Sequence, residues 1–116
     1  QNNKMKDKNE KMHEMQILEQ NLQNLLLQKQ AFQIELTETQ SALKEIENSK
    51  DEVFKIIGQL MIKTEKSKIK EELSNKEKIL SLRTKTFEKQ EASLMERLNT
   101  LREEIMQQRE TSSKKQ

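Results

Sequence analysis

The residues of this chain that could do chemistry are few and poorly spaced for it. His13 is the only histidine. Glu10 stands three residues before it, which is the spacing of one half of a carboxylate-bridged metal motif. No second half follows, so we interpret His13 as a solvent-exposed side chain. The acidic pairs Glu71-Glu72 and Glu103-Glu104 are adjacent in sequence. Their carboxylates therefore diverge around a helix and form no acid–base pair.

Motifs for covalent or phosphate chemistry are missing from the sequence as well. The chain has no cysteine, which excludes a disulfide framework, a cysteine nucleophile and a cysteine-based zinc site. It contains neither a glycine-rich phosphate loop nor a Gly-x-Ser-x-Gly motif. We therefore expect no enzyme activity, no metal and no cofactor, which leaves the binding of other molecules as the function to look for.

The composition favours long helices over a compact globule. Of the 116 residues, 31% are hydrophobic and 36% are charged, and three phenylalanines are the only aromatics. Such a chain is either disordered or helical with a narrow apolar seam. The 22 basic and 20 acidic residues are interleaved, which is typical of solvated helix faces rather than of a nucleic-acid-binding stripe. No segment approaches the ~18 consecutive apolar residues of a membrane helix. We expect neither a nucleic acid nor a membrane as a partner, and the absence of cysteine fits a cytoplasmic location.

Apolar residues in each half of the chain recur in steps of three and four, or of seven, which is the a/d pattern of a coiled coil. In the first half this seam contains Met15, Leu18, Leu22, Leu25, Lys29, Phe32, Leu36, Thr39, Leu43 and Ile46, with Lys29 and Thr39 as interruptions. Leu26, Leu27 and Ile34 lie off the seam. In the second half it contains Leu73, Leu80, Phe87, Leu94, Leu98, Leu101 and Ile105, with Lys70, Glu77, Thr84 and Glu91 as companions nearer the middle of the chain.

The middle of the chain, residues 53–64, differs from both halves. It contains Gly58, the only glycine, and is rich in β-branched and large apolar residues, which predicts a β-hairpin. Gly58-Gln59 suits a two-residue type II′ turn. Apolar side chains on both faces make a lone hairpin unstable in water. We expect hairpins of several chains to share a sheet or barrel through Val53, Phe54, Ile56, Ile57, Gly58, Leu60, Met61 and Ile62. The alternative is a helix–helix turn with apolar residues tucked under it.

These patterns predict a mainly α protein, in which a long antiparallel two-helix coiled coil is joined by a single β-hairpin that assembles into an intersubunit β-barrel. We expect one domain over residues 1–116. Its first helix covers about 6–48, its second about 67–109, and residues 110–116 form a polar tail, of which we expect residues 111–116 to be disordered. If the bend is centred on Gly58, the numbers of paired residues add up to about 116, as for Leu22 with Leu94. A register one heptad away instead places Leu36 against Phe87.

The order of long helix, DEVFKIIGQLMIKTEK hairpin and long helix resembles the beta-type subunits of the prefoldin family. The resemblance is carried by Glu52-Val53-Phe54-Lys55, Gly58, Leu60-Met61-Ile62-Lys63 and Glu71-Glu72-Leu73, and residues 28–30, 38–40 and 88–91 are also similar. It implies a hexamer of two alpha-type subunits and four beta-type copies, whose hairpins build a double barrel. It also implies that coiled-coil tips hold unfolded client proteins and pass them to a group II chaperonin.

Five of the six methionines lie toward the two ends of the chain. In an antiparallel hairpin both ends meet at the tip farthest from the bend. We expect a client-binding cluster there, formed by Met12, Met15, Leu18, Leu101, Ile105 and Met106. Methionine is flexible and polarizable and accommodates many apolar shapes. The alternative is that these residues complete the coiled-coil core.

The sequence therefore leaves three candidate functions to compare. The first is a subunit of a chaperone that holds unfolded polypeptides. The second is a structural coiled-coil scaffold or tether, which would need neither the hairpin nor an apolar tip. The third is a nucleic-acid binder, which the balanced charge and sparse aromatics disfavour.

Overall fold

The fold consists of two long helices with a β-hairpin between them in sequence. A computed structural model describes the backbone of residues 2–114 and the side chains of residues 6–109. The elements in chain order are α1 (Asn2–Asn48), β1 (Val53–Ile57), β2 (Leu60–Thr64) and α2 (Lys66–Lys114). The predicted order of two long helices with one antiparallel hairpin is confirmed.

Both helices extend further than the sequence analysis expected. Helix α1 already begins at Asn2 and α2 continues to Lys114. The prediction of disorder is therefore wrong for residues 111–114, because no glycine or proline stands there to stop the helix. The last two residues of the predicted tail, Lys115 and Gln116, lie outside the described residues.

The loop between α1 and β1 is held by short hydrogen bonds. The Ser49 backbone N–H donates to the Ile46 carbonyl at 3.3 Å, and the Asp51 N–H donates to Ser49 Oγ at 3.2 Å. Lys66, the first residue of α2, donates from Nζ to the Ser49 carbonyl at 2.7 Å. A cation near the carbonyl end of a helix is electrostatically favourable. Lys66 therefore ties the end of α1 to the start of α2.

The hairpin has a two-residue turn at the position of the single glycine. The strands pair in antiparallel register from Val53 with Thr64 to Ile57 with Leu60. Gly58 has a φ of 60°, whereas Gln59 does not have a positive φ. A type I′ turn needs positive φ at both central residues, and a type II′ turn needs it only at the first. The turn therefore agrees with the type II′ prediction.

The chain divides into two compact units, which we describe separately. Unit 1 comprises residues 1–29 and 87–116, and unit 2 comprises residues 30–86 with the hairpin. In unit 1 the buried apolar residues are Leu25, Leu98, Leu101 and Ile105. In unit 2 they are Ile69 and Leu80, accompanied by the buried hydroxyl residues Thr39 and Thr84.

Contacts between the helices define the register within each unit. In unit 1, Lys11 Nζ lies 3.4 Å from Glu104 Oε2. In unit 2, the Arg83 guanidinium lies over the Phe32 ring, 5.4 Å from its centroid. Both pairs have residue numbers that add up to about 116, as expected for an antiparallel coiled coil with its bend at Gly58. They agree with the first register of the sequence analysis rather than with the one shifted by a heptad.

The seam near the hairpin contains a residue that the heptad count missed. Ile69 is buried, whereas Lys70, the expected seam position, is half-exposed and lies 3.7 Å from Glu47. A step of four residues back from Leu73 reaches Ile69, and this step keeps an apolar side chain on the seam. The assignment of Lys70 to the seam is therefore wrong.

Candidate functional site

The hairpin exposes most of its large apolar side chains. We define the hairpin surface as the predicted set Val53, Phe54, Ile56, Ile57, Gly58, Leu60, Met61 and Ile62. Within it Val53 is half-buried, and the six other large side chains are between 45% and 71% exposed. Soluble monomers rarely display so many adjacent apolar side chains unless the patch binds something.

The apolar residues of the hairpin surface occupy both faces of the sheet. Residues directly opposite each other in an antiparallel pair share a face. The register therefore places Ile57, Leu60 and Ile62 on one face and Phe54, Ile56 and Met61 on the other. A half-solvated hairpin would instead alternate apolar with polar. Burial of one face alone would leave three large apolar side chains in water.

The outer edges of the hairpin are also open. The sheet contains β1 and β2 only, as far as the described residues go. The N–H and C=O groups on the outer side of each strand are therefore free to pair with a further strand.

Two ion pairs surround the hairpin surface. Lys55 Nζ lies 3.0 Å from Glu72 Oε2 on α2, and Lys63 Nζ lies 2.9 Å from Glu52 Oε1. The first joins β1 to a helix. All four side chains are exposed, and such pairs add little to stability.

The predicted client-binding residues, which we call the tip cluster, all lie in unit 1 but in different environments. The tip cluster is Met12, Met15, Leu18, Leu101, Ile105 and Met106. Met12 is 40% and Met106 is 60% exposed, whereas Leu101 and Ile105 are buried. Met15 and Leu18 are half-buried. In this structure Leu101 and Ile105 pack the helices together, and the two exposed methionines are open to a ligand.

Unit 1 also exposes four apolar residues that lie outside the tip cluster: Leu26 and Leu27, which are 41% and 65% exposed, and two others. Ile17 is 48% and Met95 is 41% exposed. Met95 is one of the methionines toward the chain ends, and this position was a sequence signal that could have placed it in the tip cluster. Ile17 lies one residue before the seam residue Leu18. Its position outside the a/d pattern was the only sequence signal that its side chain would be exposed.

Charged residues beside the tip cluster are held in pairs. Arg97 donates from Nε and Nη2 to the two carboxylate oxygens of Glu14, at 3.0 and 3.1 Å. This hydrogen bonding raises the pKa of Arg97 above its ordinary value. Partial desolvation lowers the pKa of Lys11, but its contacts with Asp7 and Glu104 outweigh this and raise it. These charges are therefore fixed across the two helices.

The described residues contain neither a cluster of metal ligands nor a candidate membrane-spanning helix. Among the residues that the structure describes, no three acidic or histidine side chains come together as a metal site. His13 is exposed. No helix in the described part of the chain is long and apolar enough to cross a membrane.

Comparison with known proteins identifies the family. Residues 9–111 of the sequence match the family described as "Prefoldin subunit". The chain belongs to the prefoldin subunit family. Its fold is similar to the crystal structure of the prefoldin beta subunit from Thermococcus strain KS-1, with a TM-score of 0.82 and 36% sequence identity. That similarity covers 87% of this chain and 90% of the other.

Two relatives with similar sequences are prefoldin beta subunits. The sequence is 41% identical over 73 residues to the prefoldin subunit beta of Thermococcus onnurineus, covering 61% of this chain and 63% of that protein. It is 34% identical over 76 residues to the prefoldin subunit beta of Saccharolobus islandicus, covering 64% of this chain and 60% of that protein. The matched part thus spans about three-fifths of these relatives' own length.

Proposed function

We propose that this chain is a beta-type subunit of a prefoldin-like chaperone that holds unfolded polypeptides. Membership of the prefoldin subunit family supports a chaperone subunit role in general. The observation that carries the proposal is the hairpin surface, with large apolar side chains exposed on both faces. Such an apolar surface is stable in water only when a partner covers it. A protein that served only as a coiled-coil scaffold would not require this surface.

The proposed assembly is a hexamer of two alpha-type and four beta-type subunits, in which the hairpins form a double barrel. Pairing of the open strand edges satisfies the free backbone groups. Closure of a barrel buries one face of each hairpin, and packing outside the barrel covers the other. We expect this assembly to act in the cytoplasm.

We further propose that clients bind at the tip cluster and are passed on to a group II chaperonin. The exposed Met12 and Met106 offer adaptable apolar contacts, as expected for a site that accepts many sequences. Each contact is weak on its own. Several subunits that touch one unfolded chain raise the effective concentration and hold it firmly.

Reconstitution with an alpha-type prefoldin subunit tests the assembly. Native mass spectrometry of the mixture is expected to give a complex with two alpha-type and four beta-type subunits. Light scattering of a thermally unfolding enzyme, such as citrate synthase, is expected to fall when the complex is added. A scaffold or tether predicts unchanged scattering, and this result would overturn the chaperone function.

Paired substitutions test the tip cluster. Met12→Ser with Met106→Ser removes two exposed apolar contacts and leaves the buried Leu101 and Ile105 in place. We expect the complex to form normally and to suppress client aggregation less well. The matched control is Gln16→Ser with Asn99→Ser, which changes two exposed polar residues of the same unit. Full retention of activity in the methionine variant would refute the assignment of these residues.

A further inference from the structure

An uncharged groove lies between α1 and α2 in unit 1, apart from the tip cluster. We call it the amide groove; its lining residues are Asn21, Asn24, Leu25, Gln28, Gln90, Ser93 and Leu94. It is a shallow, open depression with a volume of about 450 Å³. Leu25 is buried and Leu94 is half-buried, so they form an apolar floor, whereas the polar lining side chains are exposed.

The absence of charge in the amide groove is unusual for this chain. Charged residues make up 36% of the sequence, yet none of the lining residues is ionisable. Lys29 and Glu91 directly follow Gln28 and Gln90 in sequence. They do not line the groove but pair with each other at 2.9 Å. These two charges are thus neutralised by each other, whereas Lys89, which directly precedes Gln90, is exposed and does not line the groove.

The hydrogen-bonding groups of the amide groove are largely free. Within the described residues, the side chains of Asn21, Gln28 and Gln90 form no hydrogen bond. Asn24 accepts one weak bond, from Gln20 Nε2 at 3.4 Å. A side-chain amide offers two N–H donors and a carbonyl acceptor. These are the donor and acceptor groups of the peptide unit itself.

We propose that the amide groove binds the backbone of an extended segment of unfolded polypeptide. The asparagine and glutamine side chains exchange hydrogen bonds with its N–H and C=O groups, while Leu94, which is only half-buried, contacts its side chains. An uncharged lining neither attracts nor repels charged segments, so recognition does not depend on the charge of the client segment. This inference rests on the proposed function, and it adds a second contact of different chemistry to the tip cluster.

The weakness of each hydrogen bond is consistent with this use. An amide that binds a client must first give up water, so the net gain per bond is small. A subunit alone would bind poorly. Several amide grooves in one complex, acting together with the tip clusters, hold a chain through avidity.

The test measures how an unfolded protein binds to the complex assembled with an alpha-type subunit. The probe is reduced, carboxymethylated lactalbumin, which stays unfolded, and fluorescence anisotropy gives its Kd. Gln28→Glu with Gln90→Glu keeps the side-chain size, removes N–H donors and introduces charge. We expect binding to weaken about tenfold. The matched control is Gln23→Glu with Asn99→Asp, which adds the same charge at exposed positions outside the groove and should bind as the wild type does.

A second variant removes the amides without adding charge. Asn21→Ala, Gln28→Ala and Gln90→Ala together favour the helices, since alanine has the highest helix propensity. Folding and assembly are therefore expected to persist, which circular dichroism and native mass spectrometry check. We expect this variant also to bind the probe several-fold more weakly, because its hydrogen bonds to the peptide are lost.

The outcomes separate this inference from the proposed function. If both groove variants bind the probe like the wild type while the Met12→Ser, Met106→Ser variant binds less, the amide groove is refuted and the chaperone function stands. An equal loss in the charge-matched control would also refute the groove, because net charge would then explain the effect. If the wild-type complex does not bind the probe, the proposed function itself fails.

Discussion

At the scale of single residues, the polar side chains in the apolar seam have local partners. Thr39 and Thr84 are buried, and their hydroxyls donate to the carbonyls of Glu35 at 2.8 Å and Leu80 at 2.9 Å. Lys29 pairs with Glu91 across the helices at 2.9 Å. A buried polar group costs stability only when it lacks a hydrogen bond. The seam therefore tolerates these interruptions.

The Lys29–Glu91 pair predicts a pH dependence in the alkaline range. Its hydrogen bond raises the pKa of Lys29 above the ordinary value. A raised lysine pKa in the folded state stabilises the fold below the ordinary pKa, and this contribution is lost as the pH rises through the folded-state value. We expect the melting temperature of the wild type to be higher than that of Glu91→Gln at about pH 8. This difference in melting temperature should shrink at about pH 11. Thermal unfolding followed by circular dichroism measures it, and an equal difference at both pH values would contradict the assignment.

Gly58 supports a second prediction at this scale. Its φ of 60° is unfavourable for other residues, and no atom lies within 4 Å of where a Cβ would be. The cost of Gly58→Ala is thus a backbone cost, about 1–3 kcal/mol for the hairpin. We expect the variant to need more alpha-type subunit to assemble, as titrated by native mass spectrometry. The control is Gln59→Ala, because Gln59 does not have a positive φ. Assembly of Gly58→Ala at wild-type concentrations would show that the turn is not limiting.

At the scale of elements, the stability of the helix pair in unit 1 depends on a few leucines. Leu98 and Leu101 are the largest fully buried side chains in the described part of the chain. Leu27, on α1, is by contrast mostly exposed. The same residue type therefore has very different energetic weight at different positions of the helices.

This contrast gives a prediction with its own control. Leu101 is 0% exposed, so Leu101→Ala should reduce the free energy of unfolding by about 2–5 kcal/mol. Leu27 is 65% exposed, and Leu27→Ala should change it little, because alanine is also a good helix former. Urea unfolding measures both. Equal losses would mean that Leu101 does not pack between the helices.

Much of this element structure was readable from the sequence. The single glycine among β-branched residues predicted the hairpin and its turn, and the leucine repeats predicted both helices. Ile69 was missed because steps of three and four from Leu73 are both allowed, and only packing decides between them. The end of α2 was missed because the polar composition at the end of the chain suggested a tail, although residues 110–114 contain no helix stop signal. The division of the tip cluster into buried and exposed members depends on how two helices face each other, which a single repeat pattern does not contain.

At the scale of the whole molecule, the hairpin surface determines what the chain can do alone. Ile56 and Met61 lie opposite each other and are 71% and 68% exposed. Apolar burial stabilises an assembly by roughly 25 cal/mol per Å². Side chains of this size are therefore expected to dominate association between subunits.

Ile56→Thr with Met61→Thr tests this expectation. Threonine keeps the preference for β-structure but removes most of the apolar area. We expect association with an alpha-type subunit to weaken by about 3 kcal/mol or more per chain, while circular dichroism still reports the helices. Ile17→Thr with Leu27→Thr, two exposed apolar positions on α1 outside the hairpin, is the control. Undiminished assembly of the hairpin variant would place the interface elsewhere.

The antiparallel register also leads us to expect a particular order of folding. Lys66 and Ser49 are 17 residues apart in sequence, whereas Gln108 and Asp7 are 101 apart. Closing a short loop costs less conformational entropy than closing a long one. We expect contacts between the helices to form first beside the turn and then progressively toward residues 7 and 108. Each contact that forms shortens the loop that the next contact has to close. Substitutions beside the turn should then slow refolding in stopped-flow experiments, and distant ones should mainly accelerate unfolding.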